Sequence, residues 1–272
     1  KPRHCASAAN MEAQYGCSGL HTSSPHTEQH ASCSEDQDAA SMALTAMHRL
    51  LRRCGVRPAE VGALHLGSSL LDRSKSVKSH LMTLFEHTDI CGIDTYHACY
   101  GGTSALFNAV DWIHSNAEED EYAIVVCADI ADLHASQAFL NGASSVAMLV
   151  GRNAPLEILP ERGHHFIHRW DFYKPVGWKN PYPLMLDGKH SIDCYMECLD
   201  GCLETLRTKL GVDGPTFLAD NDYFIHHCTS VYLCKRGFKR ICDNCDPKLG
   251  LGKQIAMFKS KVGPSTLLTE RI

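Results

Sequence analysis

Residues 93–103 constrain the fold of this chain more than any other segment. A short apolar run leads to Cys99, Gly101 and Gly102 follow almost at once, and residues 104–113 have a helical pattern. Strand, tight turn and helix in this order are typical of a nucleophile elbow, which lifts a side chain out of a sheet at the start of a helix. The positive end of that helix favours a thiolate, so the pattern predicts a reactive cysteine. A structural cysteine buried at a strand end explains the same pattern equally well.

The glycine pair after Cys99 bears on the same chemistry. Because glycine has no side chain, we expect the backbone at Gly101 and Gly102 to approach a substrate closely. A main-chain N–H group there would then face the oxyanion of a reacting carbonyl.

Strand and helix patterns alternate along the chain. The run YAIVVCA at residues 122–128 is continuously apolar, as expected of a strand buried on both faces, and Gly55 is a stop signal after a helical pattern. This alternation predicts a layered α/β fold. The predicted helices are residues 36–54, 76–85, 104–113, 192–210 and 231–242, and the predicted strands are residues 61–66, 90–94, 122–128, 145–150 and 223–225.

Composition and charge are those of an ordinary globular protein. The chain has 272 residues, of which 44% are hydrophobic and 21% charged, and its net charge is −5. Lysine and arginine are scattered, so we expect no nucleic-acid partner. No apolar run approaches the length of a membrane span, and residues 1–33 lack the apolar core of a signal peptide. We therefore expect a cytoplasmic protein that has no membrane partner.

The chain contains fourteen cysteines and seventeen histidines. Disulfide frameworks usually staple small, loop-rich domains, so we expect most of these thiols to be reduced. Zinc is the alternative at Cys228, Cys234, Cys242 and Cys245, where the last two have ligand spacing. A second close pair is missing, so we expect no metal site.

Residues 94–110, DTYHACYGGTSALFNAV, are similar to the active-site segment of hydroxymethylglutaryl-CoA synthases, thiolase-superfamily enzymes that join acetyl-CoA to acetoacetyl-CoA. Seven further segments resemble that family in the same order and near its spacing. Together they cover most of the chain from about Cys33 onwards. They are residues 72–78, 88–90, 147–151, 171–175, 182–183, 187–189 and 222–227.

The resemblance implies the five-layered thiolase fold (αβαβα), built from two similar halves. Residues 34–151 would form the N-terminal half with the nucleophile, and residues 152–272 would begin the C-terminal half, whereas residues 1–33 match poorly. Residues 261–268 resemble a segment after which family members continue, so we expect the C-terminal half to be incomplete. The resemblance also implies a homodimer.

The same resemblance assigns chemistry to individual residues. Cys99 would accept an acetyl group from acetyl-CoA as a thioester, whose carbanion attacks the ketone of acetoacetyl-CoA before water releases the product. Tyr100 and Gly101 would belong to the oxyanion region, and His227 would bind the acetoacetyl group. Coenzyme A thioesters are the substrates and no cofactor is implied. The implied pathway is the mevalonate route to isoprenoid and sterol precursors.

Three of the implied site residues have simpler explanations as well. His227 could be a structural hydrogen-bonding group at a strand end. Asp129 falls where the family has an active-site aspartate, but it could equally be a turn residue after a strand. Lys235 resembles the lysine of a Cys-Lys pair that contacts the phosphates of coenzyme A, or it belongs to a solvated basic helix face.

The chain departs from the family at the general base. The family has a glutamate in a Gly-Thr-Glu or Gly-Ser-Glu context, but this chain reads Gly67-Ser68-Ser69, and a hydroxyl has no pKa near neutrality. Residues 138–142 also replace an Arg-Pro-Thr-Gly-Gly loop. The general base is therefore unknown, and a catalytically impaired or non-catalytic relative is the alternative. A ketoacyl synthase is a third hypothesis, which the segments quoted above favour less.

Overall fold

The computed structural model describes residues 2, 4–19, 22, 29–69, 75–115, 120–131, 141–173, 175–179, 184–185, 187–228 and 231–261. The predictions that concern residues 72–74, 138–140, 182–183 and 262–268 lie outside these ranges. The chain divides into two compact units, the first formed mainly by Lys1–Ile158 and the second beginning at Leu159. Among the described residues, no helix is both long enough and apolar enough to cross a membrane.

The first unit is organised around a four-stranded sheet of order β4-β3-β5-β6. β3 pairs in parallel with both β4 and β5, whereas β5 and β6 are antiparallel. The parallel register sets Ser68 opposite Tyr96 and Gly67 opposite Cys127, so the carboxyl ends of three strands meet at one edge. The strands are β3 (Val61–Ser68), β4 (Asp94–Tyr96), β5 (Tyr122–Ala131) and β6 (Gly142–Val150).

Two long helices cover this sheet, α2 (Ala39–Cys54) and α4 (Gly101–Ser115). Alternate residues of β3 and β5 point to opposite faces, and each set joins a separate apolar cluster. One cluster contains Met47 of α2 with Leu64 of β3, and the other contains Ala105 of α4 with neighbouring strand residues. The predicted layering is therefore confirmed in this unit.

The ends of α2 follow from local sequence. The Asp38 carboxylate accepts a hydrogen bond from the Ser41 N–H (2.6 Å), and the Ser41 hydroxyl completes a capping box by accepting from the Asp38 N–H. Gly55 ends the helix at a φ of 66°, as its position in the sequence predicts.

Shorter elements complete the first unit. β1 and β2 are antiparallel partners, and the helix predicted at residues 76–85 is reduced to α3 followed by a 3-10 turn, Met82–Leu84. The Asp94 carboxylate caps α3 by accepting from the Val77 and Lys78 N–H groups at 2.7 and 3.0 Å. These elements are β1 (His4–Ser7), α1 (Ala8–Tyr15), β2 (Gln29–Ser32) and α3 (Lys78–Leu81).

The second unit is mainly helical, and its core is a group of aromatic and cysteine side chains. The ring of Phe224 packs edge-on against Phe217 and Phe238, with ring centroids 6.0 and 5.4 Å apart. The elements are β7 (Phe172–Tyr173), β8 (Leu184–Met185), α5 (Gly188–Leu210), α6 (Gly214–Asp220), α7 (Val231–Cys245) and α8 (Leu251–Lys261).

The strand predicted at residues 223–225 is wrong, since this segment has no regular structure. Phe224 is buried, while its neighbours Tyr223 and Ile225 are 58% and 81% exposed. The apolar run at residues 223–225 therefore consists of one buried ring between two exposed apolar side chains, and it does not pair with a strand.

Candidate active site

Cys99 lies on a sharp turn between β4 and α4. A 3-10 turn, Ala98–Tyr100, separates the strand from the helix. Ala98 has a φ of +42°, in the left-handed region that residues with a side chain rarely adopt. Strained backbone of this kind is common where a fold presents a reactive side chain. The predicted order of strand, turn and helix is confirmed, and Cys99 is exposed at its apex.

The glycines after Cys99 have a packing role that the sequence analysis did not predict. A Cβ on Gly101 would lie 2.8 Å from the Thr95 carbonyl oxygen, and one on Gly102 would lie 2.8 Å from the Cys127 sulfur. A Cβ on Gly67 of β3 would collide with the backbone of both glycines. The missing side chains therefore allow α4 to pack closely against the sheet, and the expected approach of a substrate to this backbone stays a prediction.

The backbone donors near Cys99 are partly used within the turn. The Tyr100 N–H donates to the His97 carbonyl at 2.9 Å, and the Gly101 N–H donates to the Ala98 carbonyl. In this conformation both N–H groups therefore have acceptors within the turn.

The environment of Cys99 disfavours its thiolate. Although the residue as a whole is exposed, partial burial raises the pKa of the Cys99 thiol, and the Asp129 carboxylate raises it further. A hydrogen bond from the residue's own backbone has the opposite but smaller effect. The net effect of these surroundings is a pKa above the ordinary value of a thiol, and the contribution expected from the helix start stays a prediction.

Asp129, near the carboxyl end of β5, is held by two serines at the end of β3. The Ser68 hydroxyl and the Ser69 N–H both donate to Asp129 Oδ1 at 2.8 Å, and the Ser69 hydroxyl donates to Oδ2 at 3.3 Å. Ser68 is only 2% exposed. The segment that begins with Gly67-Ser68-Ser69 is one residue shorter than the family pattern and has no acid where that pattern has its glutamate; both of its serines donate to Asp129 instead.

Sequence reasoning overlooked Cys127 as part of this site. Side chains of a strand alternate between its two faces, so Cys127 and Asp129 of β5 share a face. Burial raises the pKa of the Cys127 thiol, and the Asp129 carboxylate adds to the increase. The two residues are two positions apart at the end of a predicted strand, and this spacing could have placed Cys127 on the same face as Asp129 from the sequence alone.

His227 and Lys235 belong to the second unit. Desolvation lowers the pKa of the His227 imidazole, which favours its neutral form. The adjacent His226 is half-buried, and its Nε2 atom has no hydrogen-bond partner among the described residues. Lys235 lies in the first half of α7 and is exposed.

The cysteines considered as zinc ligands lie mainly in apolar surroundings. Cys242 and Cys245 are buried in the aromatic core of the second unit, and burial raises the pKa of the Cys242 thiol to about 11. Within the described ranges, no group of three or more histidine, cysteine, aspartate or glutamate side chains converges on a point that could hold a metal ion.

Comparison with known families agrees with this arrangement. The family model for the hydroxymethylglutaryl-coenzyme A synthase N terminal domain matches residues 2–155, and the model for the C terminal domain of the same enzymes matches residues 159–247. The chain belongs to the hydroxymethylglutaryl-CoA synthase family. The N-terminal match includes residues 2–33, which match the family poorly by their sequence motifs.

Individual synthases show the same relationship. The chain is 42% identical to the cytoplasmic hydroxymethylglutaryl-CoA synthase of Gallus gallus over 78% of its length, and 40% identical to the mitochondrial enzyme of Bos taurus over 84%. These matches cover 43% and 48% of the two relatives, so the chain spans a little under half of their length.

A solved structure confirms the fold. The structure of MvaS in complex with 3-hydroxy-3-methylglutaryl coenzyme A matches all of this chain and 70% of its own, with a TM-score of 0.84 and 27% identity. The hydroxymethylglutaryl-CoA synthase family member described here therefore has a thiolase-like α/β fold.

Proposed function

We propose that the chain carries out the hydroxymethylglutaryl-CoA synthase reaction, which condenses acetyl-CoA with acetoacetyl-CoA. The observation that carries this proposal is Cys99 on its strained turn, with Asp129 close enough to influence its thiol. Membership of the synthase family supports the choice of substrates.

The first step transfers an acetyl group to Cys99. Its thiolate attacks the thioester carbonyl of acetyl-CoA, the bond to the coenzyme A sulfur breaks, and coenzyme A leaves as a thiol after taking up a proton. We assign the oxyanion region to the backbone at Cys99, Tyr100 and Gly101. The N–H groups of Tyr100 and Gly101 donate within the turn and that of Cys99 donates to its own sulfur, so a group released from its contact would donate to the oxyanion.

The second step forms the carbon–carbon bond. A base removes a proton from the acetyl methyl group, the carbanion attacks the ketone of acetoacetyl-CoA, and water then hydrolyses the bond to Cys99. We assign His227 to the acetoacetyl group, Lys235 to the coenzyme A phosphates and Asp129 to the substrate region. The base stays unassigned, because the segment Gly67-Ser68-Ser69 has no acid where the family pattern has its glutamate.

The wider setting follows from the same proposal. The thioesters supply the activated groups, so we expect the reaction to need no metal or other cofactor. We also propose a homodimer that acts in the mevalonate pathway, in the cytoplasm like the Gallus gallus relative. Residues 34–151 and 152–272 would correspond to the two halves of the thiolase fold.

The direct test is incubation with acetyl-CoA followed by intact-mass and peptide mass spectrometry. We expect an acetyl group on Cys99 that is absent from Cys99→Ala and retained by Cys127→Ala, which removes another thiol influenced by the same aspartate. No adduct on folded protein would overturn the proposal.

Acetoacetyl-CoA is added in the second stage. Hydroxymethylglutaryl-CoA as product would support the full reaction. Acetylated Cys99 without this product would instead support the impaired relative, for which the Ser69–Asp129 contact in place of a general base is the specific observation.

A further inference from the structure

A histidine and a cysteine meet on the first two turns of α5 in the second unit. The Nε2 atom of His190 and the Sγ atom of Cys194 lie 3.8 Å apart and form a hydrogen bond. The residues are four positions apart, so they are neighbours on one face of the helix, where the side chain of the later residue leans back towards the earlier one. His190 is exposed, whereas Cys194 is only 7% exposed. The pair therefore joins a buried sulfur to an imidazole on the surface.

The separation of these two atoms fits two ligands of one metal ion. Zinc binds thiolate sulfur at about 2.3 Å and imidazole nitrogen at about 2.0–2.1 Å, so bonds to two atoms 3.8 Å apart would enclose an angle of about 120° at the metal. This angle is close to the tetrahedral geometry that zinc adopts. Sulfur and nitrogen ligands also favour zinc over magnesium and calcium, which prefer oxygen.

We propose that His190 and Cys194 bind a zinc ion, with water in the remaining coordination positions. The thiol proton is released to solvent on binding, so that the metal is held by the Cys194 thiolate and by the lone pair of His190 Nε2. Within the described ranges no third histidine, cysteine, aspartate or glutamate side chain completes the set. We therefore expect an open, exchangeable site, unlike the closed four-ligand sites that hold structural zinc. This site is separate from the proposed condensation, which needs no metal.

The neighbouring side chains favour a cation at this end of α5. The Asp171 carboxylate lies beside the first turn, where its Oδ2 atom accepts a hydrogen bond from the Ser191 hydroxyl at 3.5 Å. The Arg169 guanidinium is paired with Glu197 at 3.2 Å, so its positive charge is largely offset. The negative charges of the thiolate and of Asp171 thus oppose the repulsion that a cation meets at the positive end of a helix.

Residue-specific alkylation tests the site. Folded, reduced protein is titrated with Zn²⁺ and treated with N-ethylmaleimide, and fragment masses of tryptic peptide 190–207 then separate Cys194 from Cys198 and Cys202. We expect zinc to protect Cys194. In His190→Gln, the Zn²⁺ concentration for half-protection should rise at least about tenfold, because even the loss of a group that only orients a metal ligand costs about 10–100-fold in affinity.

Cys198→Ser is the matched control. It removes the next thiol along this face of α5 and keeps both proposed ligands. The half-protection concentration for Cys194 should stay unchanged in this variant. Equal protection in the wild type and in His190→Gln, or loss of protection in Cys198→Ser, would overturn the proposal.

A second measurement does not require Cys194 to react with the reagent. The nuclear magnetic resonance signal of the His190 Cε1–H group, assigned by its absence from His190→Gln, should move when Zn²⁺ is added to the wild type. It should stay in place in Cys194→Ala. A signal that does not respond in the wild type, or that responds equally without the thiol, would show that the pair does not bind zinc. Acetylation of Cys99 is measured without added zinc, so failure of the proposed function and failure of this site are distinguishable.

Discussion

At the scale of single residues, two opposing influences act on the pKa of Cys99. The Asp129 carboxylate raises this pKa, whereas a hydrogen bond from the backbone of Cys99 itself lowers it. Asp129 is kept in place by the Ser68 and Ser69 donors, and its charge opposes ionisation of Cys99. The carboxylate is therefore unfavourable for the free thiolate. It acts less strongly once the sulfur is acylated, because a thioester carries no charge.

Replacing Asp129 with asparagine tests this balance. Asp129→Asn removes the carboxylate while keeping an oxygen for the serine donors, so the pKa of Cys99 should fall. Alkylation of Cys99 by iodoacetamide at neutral pH should become faster, and its pH–rate profile should move to lower pH. Peptide mass spectrometry follows the reaction, with Cys54 as the reference thiol. An unchanged profile would show that Asp129 does not influence this thiol in solution.

The backbone of Ala98 gives a second prediction at this scale. Its φ of +42° is tolerated poorly by β-branched residues, so Ala98→Val should lower the free energy of unfolding by about 1–2 kcal/mol. Ala98→Gly should change it by less than about 1 kcal/mol, because relief of strain is offset by greater freedom of the unfolded chain. Urea denaturation measures both variants, and equal losses would contradict a left-handed Ala98.

At the scale of elements, the site depends on how closely α4 approaches the sheet. The start of the helix lies against β3 and β5 through Gly67, Gly101 and Gly102, whose absent side chains leave room for backbone contact. This contact sets where the turn with Cys99 stands relative to Asp129. Packing of the helix on the sheet therefore controls the geometry of the site.

Gly67→Ala tests that packing. The new methyl group would collide with the backbone of Gly101 and Gly102, and we expect a loss of about 1–3 kcal/mol in the free energy of unfolding, as in other overpacked sites. The matched control is Gly188→Ala, where an added Cβ meets nothing within 4 Å. Acetylation of Cys99 should fall in the first variant only. If both variants are equally stable, the close helix–sheet contact is incorrect.

At the scale of the whole molecule, buried histidines link stability to pH. His65 lies in the middle of β3 and is 5% exposed, and neither of its ring nitrogens has a hydrogen-bond partner among the described residues. Burial lowers the pKa of His65, and the positive charge of Lys78 lowers it further. In the second unit, desolvation likewise lowers the pKa of the half-buried His226 and of His227, which is exposed as a whole residue.

The sign of the pH effect follows from proton binding. The unfolded chain binds a proton at His65 near its ordinary pKa of about 6.5, whereas the folded chain resists protonation until a lower pH. The free energy of unfolding should therefore decrease as the pH falls below that value. His65→Leu should reduce this dependence in the first unit, while His48→Leu, at an exposed position of α2, should not.

Hydrogen exchange measured by mass spectrometry at pH 7.5 and 5.5 can report on peptides from β3 and β5 separately from the second unit. Exchange rates corrected for their intrinsic pH dependence should show loss of protection at the lower pH in the wild type. Equal loss in the wild type and in His65→Leu would contradict the assignment to His65.

Local features of this chain were predictable because they depend on neighbours in sequence. The stop of α2 at Gly55, the buried strand from Tyr122 and the turn at Cys99 all follow from such features. The segment at residues 223–225 was mistaken for a strand, since an apolar run alone does not show whether a sheet is present to accept it.

The sequence by itself determined the layered α/β fold and the family, and it singled out Cys99 as the candidate nucleophile, since periodicity, turn residues and motifs are properties of short segments. Only the tertiary structure decided what surrounds that thiol. Ser69 and Asp129 are far apart in the chain, and parallel pairing of β3 and β5 brings them together. Because charge and desolvation act through space, the raised pKa of Cys99 and the packing role of its two glycines could be assigned only from the folded chain.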